Sequence, residues 1–291
     1  MTTSFRILIA GSTGYLGSSI VEILKTQHPE FSALARNKRK LLAMGLSDSQ
    51  VIEAQVTNPE EIRGICEGFD IVISCIGITR QQDGLGYMDV DYQANLNLLE
   101  EAERSGVSKF IYISAFNAQN HPEVRLLKAK EKFARRLLQS TKITPCVIRP
   151  NGFFSDIAEV YNMAMSGRVF TFGKGENRLN PIDGKDLGQF CLEAINRTET
   201  ELAVGGPDTL SVNEITRLAF SALDKSQRVV YLPDLLRKCA LAVASLLPEK
   251  WGGPAEFFLT MLGQDNCAPS YGSKSIEEYF GQLAERDRNS S

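Results

Sequence analysis

The chain has 291 residues, enough for one large domain or for a core domain with a smaller appendage. Its formal net charge is -3 and 23% of its residues are charged, so no charge excess advertises nucleic acid or lipid headgroups, and a small molecule is the expected partner. Six cysteines (Cys66, Cys75, Cys146, Cys191, Cys239 and Cys267) without a Cys-x-x-Cys pair, and two histidines, His28 and His121, argue against a bound metal. The N-terminal apolar stretch is too short for a signal-peptide core and no run reaches the roughly 18 residues of a membrane span, so a cytoplasmic chain with reduced thiols is expected.

In chain order, residues 5–10 read as a short buried strand, and from Leu16 the apolar positions Leu16, Ile20, Ile23 and Leu24 share one helical face. Further strands are expected at 31–35, 50–54, 70–75, 109–114 and 144–148, separated by helical patterns, notably 92–105 and 124–140. A tight hairpin cannot join parallel strands, so this alternation predicts an α/β fold with a doubly wound parallel sheet. After Arg149-Pro150 the alternation becomes irregular, with helices expected at 185–196, 212–223, 235–247 and 273–282. The expected organisation is a core over residues 1–150 and a smaller mixed α/β substrate or lid lobe over 151–291, some of whose segments return to the core.

Between the first strand and the first helix lies GSTGYLG, residues 11–17. Glycine costs helix stability, so three in seven positions need a reason. In a strand-turn-helix setting Gly11 permits the tight turn, Gly14 lets the backbone approach a pyrophosphate, and Gly17 lets the helix lie close to the sheet. The stretch Gly11, Ser12, Thr13, Gly14, Tyr15, Leu16 and Gly17 would then offer N–H groups and a helix dipole to the phosphates of a dinucleotide. A carboxylate about 20 residues on would grip the ribose of NAD. Here the second strand ends in ALARNKRK, with Arg36, Lys38, Arg39 and Lys40 and no acid before Asp48. A guanidinium clamps a 2'-phosphate bidentately, so NADP is favoured over NAD; Arg36 is the preferred contact and Lys40 reads as a solvated helix start.

GSTGYLG at the first turn, FDIVISCIG and KFIYISAF at the fourth and fifth strands, Lys130, CVIRPNGFF and NPIDGKDLG together resemble the short-chain dehydrogenase/reductase superfamily. More narrowly they resemble its atypical extended branch, with NmrA-like, isoflavone-reductase-like and divinyl-chlorophyllide-reductase-like members, over residues 5–195. The resemblance implies a Rossmann core in which Ile76 and Gly77 line the adenosine and ribose side and Ser114 lies near the nicotinamide. It further implies that Lys130 bonds the nicotinamide ribose and that Pro150 and Asn151 border the ring. Ordinary members add a tyrosine four residues before the lysine, whose pKa the lysine lowers. In this chain that position is Leu126, the helper serine position falls on Ala115, and the asparagine position on Asp91. Choosing Lys128 or Lys132 instead brings no tyrosine, since Val124 and Lys128 stand four before them.

Tyr87, Tyr92 and His121 are alternative proton sources; Tyr87 either touches substrate or packs at a loop base, and His121 is either catalytic or solvated. Cys75 reads as a small apolar residue. The stretch 235–251 is expected to cover the cleft or pack against the C-terminal lobe, with a membrane or partner surface as the alternative. Phe153, Phe154, Phe257 and Phe258 suit either an apolar pocket or an aromatic core. Two functions stay open: an NADPH-dependent reductase for a hydrophobic substrate, conjugated ones included, and a non-catalytic NADP(H)-binding regulatory or assembly protein. A sugar-nucleotide epimerase is disfavoured by the missing tyrosine.

Overall fold

Four consecutive apolar residues build β1 (Ile7–Ala10), every one of them buried, as a strand covered on both faces requires. The computed structural model describes residues 5–27, 30–78 and 84–290; His28 lies outside them. The glycine turn leads into α1 (Tyr15–Gln27), followed by β2 (Phe31–Ala35), α2 (Lys38–Ala43), β3 (Val51–Glu53) and β4 (Ile71–Ser74). A π-helical segment, Met88–Ala94, runs directly into α3 (Asn95–Ser105), then come β5 (Lys109–Ile113), α4 (Arg125–Leu138) and β6 (Thr144–Pro150). The remainder is α5 (Phe154–Met165), β7 (Val169–Phe172), β8 (Arg178–Leu179), α6 (Gly184–Glu193), β9 (Glu201–Val204), β10 (Leu210–Ser211), α7 (Val212–Ala222) and β11 (Val229–Leu232). Three helices close the chain: α8 (Asp234–Leu246), α9 (Glu249–Met261) and α10 (Ile276–Ser290).

The main sheet has seven strands in the order β3-β2-β1-β4-β5-β6-β9, and the pairings from β3 through β6 are parallel. This is the doubly wound α/β Rossmann fold that the alternation predicts. Its strand order reverses between β1 and β4, and in such sheets a ligand binds at the carboxyl ends of the strands at that point. The second half is irregular, as the loss of alternation after Pro150 suggested, but it also carries α5 and α9, which the pattern did not indicate. The last helix begins at Ile276, after an expected start at 273, and extends to Ser290; the short β8–β10 and β11–β7 pairs carry too little periodicity to be read beforehand.

Two compact units emerge, residues 1–149 with 188–202 and residues 150–187 with 203–291. In the first, Leu8, Val72, Leu98, Phe110, Phe133 and Val147 belong to one buried cluster between sheet and helices. Segment 188–202 is fastened there by Lys109, whose buried Nζ donates to the carbonyls of Ala194, Ile195 and Arg197 at 2.7, 2.9 and 2.6 Å. A cation thus caps the carbonyls at a helix end. In the second unit Phe154, Tyr161, Phe220 and Phe280 belong to a separate core between α5, α7 and α10.

The buried Arg149 ties α4 to the sheet. Its Nη1 donates to Glu131 at 2.8 Å, and its Nε and Nη2 donate to Glu201 at 2.9 and 2.7 Å. Arg149→Leu is expected to cost about 2 to 3 kcal/mol, because Glu131 stays largely buried with, among the described residues, the exposed Arg135 as its remaining cationic partner. Urea unfolding measures this, and an unchanged midpoint would contradict it.

Candidate functional site

Each glycine of the first turn has its own geometry. Gly11 has φ +75°, and a Cβ there would stand 2.8 Å from the carbonyl carbon of Cys75, so the turn must pass close beneath the end of β4. A Cβ on Gly17 would overlap the Gly11 carbonyl oxygen and come within 2.8 Å of the Ser12 Cα; here the helix lies against its own entry loop. Gly14 differs, because the nearest atom its Cβ would meet is the Gly11 oxygen at an ordinary 3.4 Å. Protein packing therefore does not require glycine at position 14. Ser12 is buried and donates to the Leu34 carbonyl at 2.7 Å, which anchors the loop to β2. Leu16 is buried in the core, whereas Tyr15, the first residue of α1, is exposed.

Gly11, Thr13, Gly14, Arg36, Ile76 and Gly77 line one cleft of about 280 Å³ at the β1/β4 reversal. Six residues singled out from the sequence are thereby brought together around the glycine turn. The cleft is also lined by Gln55, Val56 and Thr57, which the motifs did not reveal; the loop after β3 contributes by the same carboxyl-end rule. Glu53 was also missed as part of this end of the sheet. Its Oε1 accepts from the Lys38 N–H at 3.1 Å, so a carboxylate from β3 reaches the basic segment after β2.

Lys130 and Asp91 lie behind the wall of the cleft. Their Nζ and Oδ1 stand 2.9 Å apart, with the carboxylate fully buried. Asp91 Oδ2 accepts from the Ile78 N–H at 3.2 Å. The π-helical segment explains how Asp91 comes to face inward: Asn95 Nδ2 donates to the Val90, Asp91 and Ile76 carbonyls at 3.3, 3.0 and 3.2 Å, while Ser74 Oγ donates to Asn95 Oδ1 at 2.6 Å. A regular period over 92–105 gives no sign of this widened turn, a form often found at functional sites. Burial, the largest influence, pulls the Lys130 ammonium toward its neutral form, but Asp91 together with Tyr112 and Cys75 outweighs it and the net shift is upward. The Tyr112 ring centroid lies 5.8 Å from that ammonium. Burial holds the phenol above its ordinary value despite Lys130, so Tyr112 keeps its proton.

Other expectations fare differently. Ser114 is buried at the end of β5, its N–H donating to Ile148 at 2.8 Å. Leu126, four residues before Lys130, is buried and apolar. Tyr87 is wholly buried and packs; Tyr92 carries Lys132 over its ring at 4.0 Å; His121 Nδ1 lies 3.1 Å from Glu123. Pro150 and Asn151 belong to the second unit, where Asn151 Nδ2 donates to Asn180 Oδ1 at 2.7 Å and to the Asn266 carbonyl. Phe154 is core, while Phe257 and Phe258 stack edge-on at 5.3 Å on α9. The stretch 235–251 packs only in part: Arg237 and Ala244 are buried, but Leu235, Leu246 and Trp251 are 68%, 86% and 70% exposed.

A family model described as NAD(P)H-binding matches residues 11–198, well over half of the chain. The chain belongs to this NAD(P)H-binding family. The protein is similar to the chloroplastic divinyl chlorophyllide a 8-vinyl-reductase of Arabidopsis thaliana, 25% identical over 322 residues that cover 96% of this chain and 76% of that protein. It is also similar to the photosystem II assembly factor Ycf39 of Synechocystis, 25% identical over 191 residues, 65% of this chain and 58% of that one. An NADPH-dependent quinone oxidoreductase of Escherichia coli, solved with NADPH, shares the fold with a TM-score of 0.71 and 16% identity, over 95% of this chain and 99% of that chain. These findings bear out the resemblance to the atypical extended short-chain dehydrogenase/reductases. Among the described residues of the NAD(P)H-binding protein, no helix is long and apolar enough to cross a membrane.

Proposed function

We propose that the protein is an NADPH-dependent reductase of a small hydrophobic substrate. The observation that carries this reading is Gly14: it borders the cleft, the fold tolerates a Cβ there, and the remaining reason for glycine is a ligand whose diphosphate touches the backbone. Arg36 in the same cleft favours NADP over NAD. NADPH, when bound, supplies the hydride. The chain's own contribution is orientation: the α1 N-terminus and glycine turn hold the diphosphate, Ile76 and Gly77 border the ribose, and Lys130 offers its charge to the nicotinamide ribose. In this reading Ser114 lies near the nicotinamide ring. With Leu126 in the tyrosine place, the proton reaches the product from another donor. Six free thiols, two of them exposed, fit a reducing compartment such as the cytoplasm.

NADPH oxidation across a panel of enones, quinones and conjugated cyclic substrates tests the reading. Turnover with at least one of them is expected. Binding of NADPH without turnover across the panel would favour the second reading, a non-catalytic NADP(H)-binding regulatory or assembly protein. Two observations favour that alternative: the apolar Leu126 and the likeness to a protein named as an assembly factor. Equal affinity for NADP+ and NADPH would in turn exclude a redox-sensing form of it, because a ligand pair without differential affinity shifts no equilibrium.

A further inference from the structure

Gly77 lines the cleft, and a Cβ there would stand 2.7 Å from Asp91 Oδ1 and 2.8 Å from Lys130 Nζ. Position 77 is therefore a window: with no side chain between them, the ion pair lies directly behind the surface that faces a ligand. Asp91 is fixed from three sides, by the Lys130 ammonium, by the Ile78 N–H and by Asn95, which bonds its carbonyl. Glu131, the next residue on α4, is held by Arg149, so the helix that carries Lys130 is clamped on both sides.

We propose that Asp91 is the positioning residue for Lys130: it holds the ammonium aimed at the Gly77 window. The proposal rests on the reading that a nicotinamide dinucleotide occupies the cleft. The other groups around the ammonium, Tyr112 and Cys75, support its charge less than Asp91 does. Tyr112 on β5 keeps its proton, removal from water pushes the Cys75 thiol after β4 up to about 12, and Arg149 on β6 adds a second cation near the phenol. Without the Asp91 charge, burial, the largest influence on the ammonium, loses its main opponent and the lysine titrates lower than in the native protein. The cation is then present at low pH and lost as the pH rises through the lowered value, whereas with Asp91 in place it persists above 10.5.

Two readouts on the whole protein test this. In Asp91→Asn, NADPH affinity measured by fluorescence from about pH 6 to about pH 10 is expected to fall about tenfold toward alkaline pH, while the native protein stays flat over that range. Lys130→Met is expected to bind NADPH about tenfold more weakly at every pH, and Asp91→Asn combined with it to add nothing further. Gly77→Ala, which pushes on the pair without changing a charge, is expected to weaken binding without the slope in pH. The second readout needs no ligand: the Lys130 amine, followed by NMR through its Cε, titrates above 10.5 in the native protein and is expected to titrate clearly lower in Asp91→Asn. A native-like pH profile of Asp91→Asn, additive losses in the double variant, or an unmoved Lys130 titration would each overturn the proposal. No NADPH uptake by the native protein, with the Lys130 titration moving as stated, would instead overturn the dinucleotide reading alone.

Discussion

Gly14→Ala is expected to fold with a stability within about 1 kcal/mol of the native protein and to lose about a hundredfold in NADPH affinity, the worth of roughly two hydrogen bonds to a charged group. The contrast with its neighbours makes the experiment decisive. A Cβ on Gly17 runs into the backbone of Gly11 and Ser12, and backbone cannot move aside as a flexible side chain can. Gly17→Ala is thus expected to lose about 3 kcal/mol or more of stability, and its binding defect would follow from unfolding. Only at Gly14, where the neighbour lies at 3.4 Å, do binding and stability come apart. Thermal unfolding with and without NADPH reads both quantities. If Gly14→Ala binds like the native chain, the diphosphate does not touch that turn.

Arg36→Ala is expected to weaken NADPH by about a hundredfold and NADH by less than about threefold, because a guanidinium on a 2'-phosphate makes charge-assisted bonds that NADH has no group to receive. The neighbouring carboxylate of Glu53 sharpens the case. It accepts the Lys38 N–H on the same side of the sheet, so a dianionic phosphate there depends on the positive charge of Arg36. Parallel titrations of the two dinucleotides check it, and equal losses for both would remove the ground for preferring NADP.

Much of the first unit can be read from its residues alone. Strands buried on both faces are nearly pure apolar runs, so β1, β2, β4 and β5 stand out, and β2 falls at 31–35 as expected. The glycine turn is legible because its three glycines answer to three different constraints. Arg36 is legible because the second strand ends in basic residues with no acid before Asp48, and Gly77 only through the family resemblance. The Asp91–Lys130 contact is another matter. Its partners lie 39 positions apart and meet through a π-helical turn that no 3.6-residue period announces. Glu53 and Gln55 escaped notice for a related reason: their nearness to Arg36 is a property of neighbouring strands, invisible along the chain. In the second unit, β8 and β10 are two residues each, too short for any alternation to show. The outward side of α8 exposes Leu235 and Leu246, against the rule that such faces are polar, and so the sequence suggested a burial that the fold provides only on the side of Arg237 and Ala244.

Calorimetric titration of the purified, folded native protein with NADPH tests the central claim most directly. Saturable uptake of one NADPH per chain, tighter than that of NADH, is the result this reading requires. No heat and no uptake of either dinucleotide, with the fold intact by circular dichroism, would contradict it.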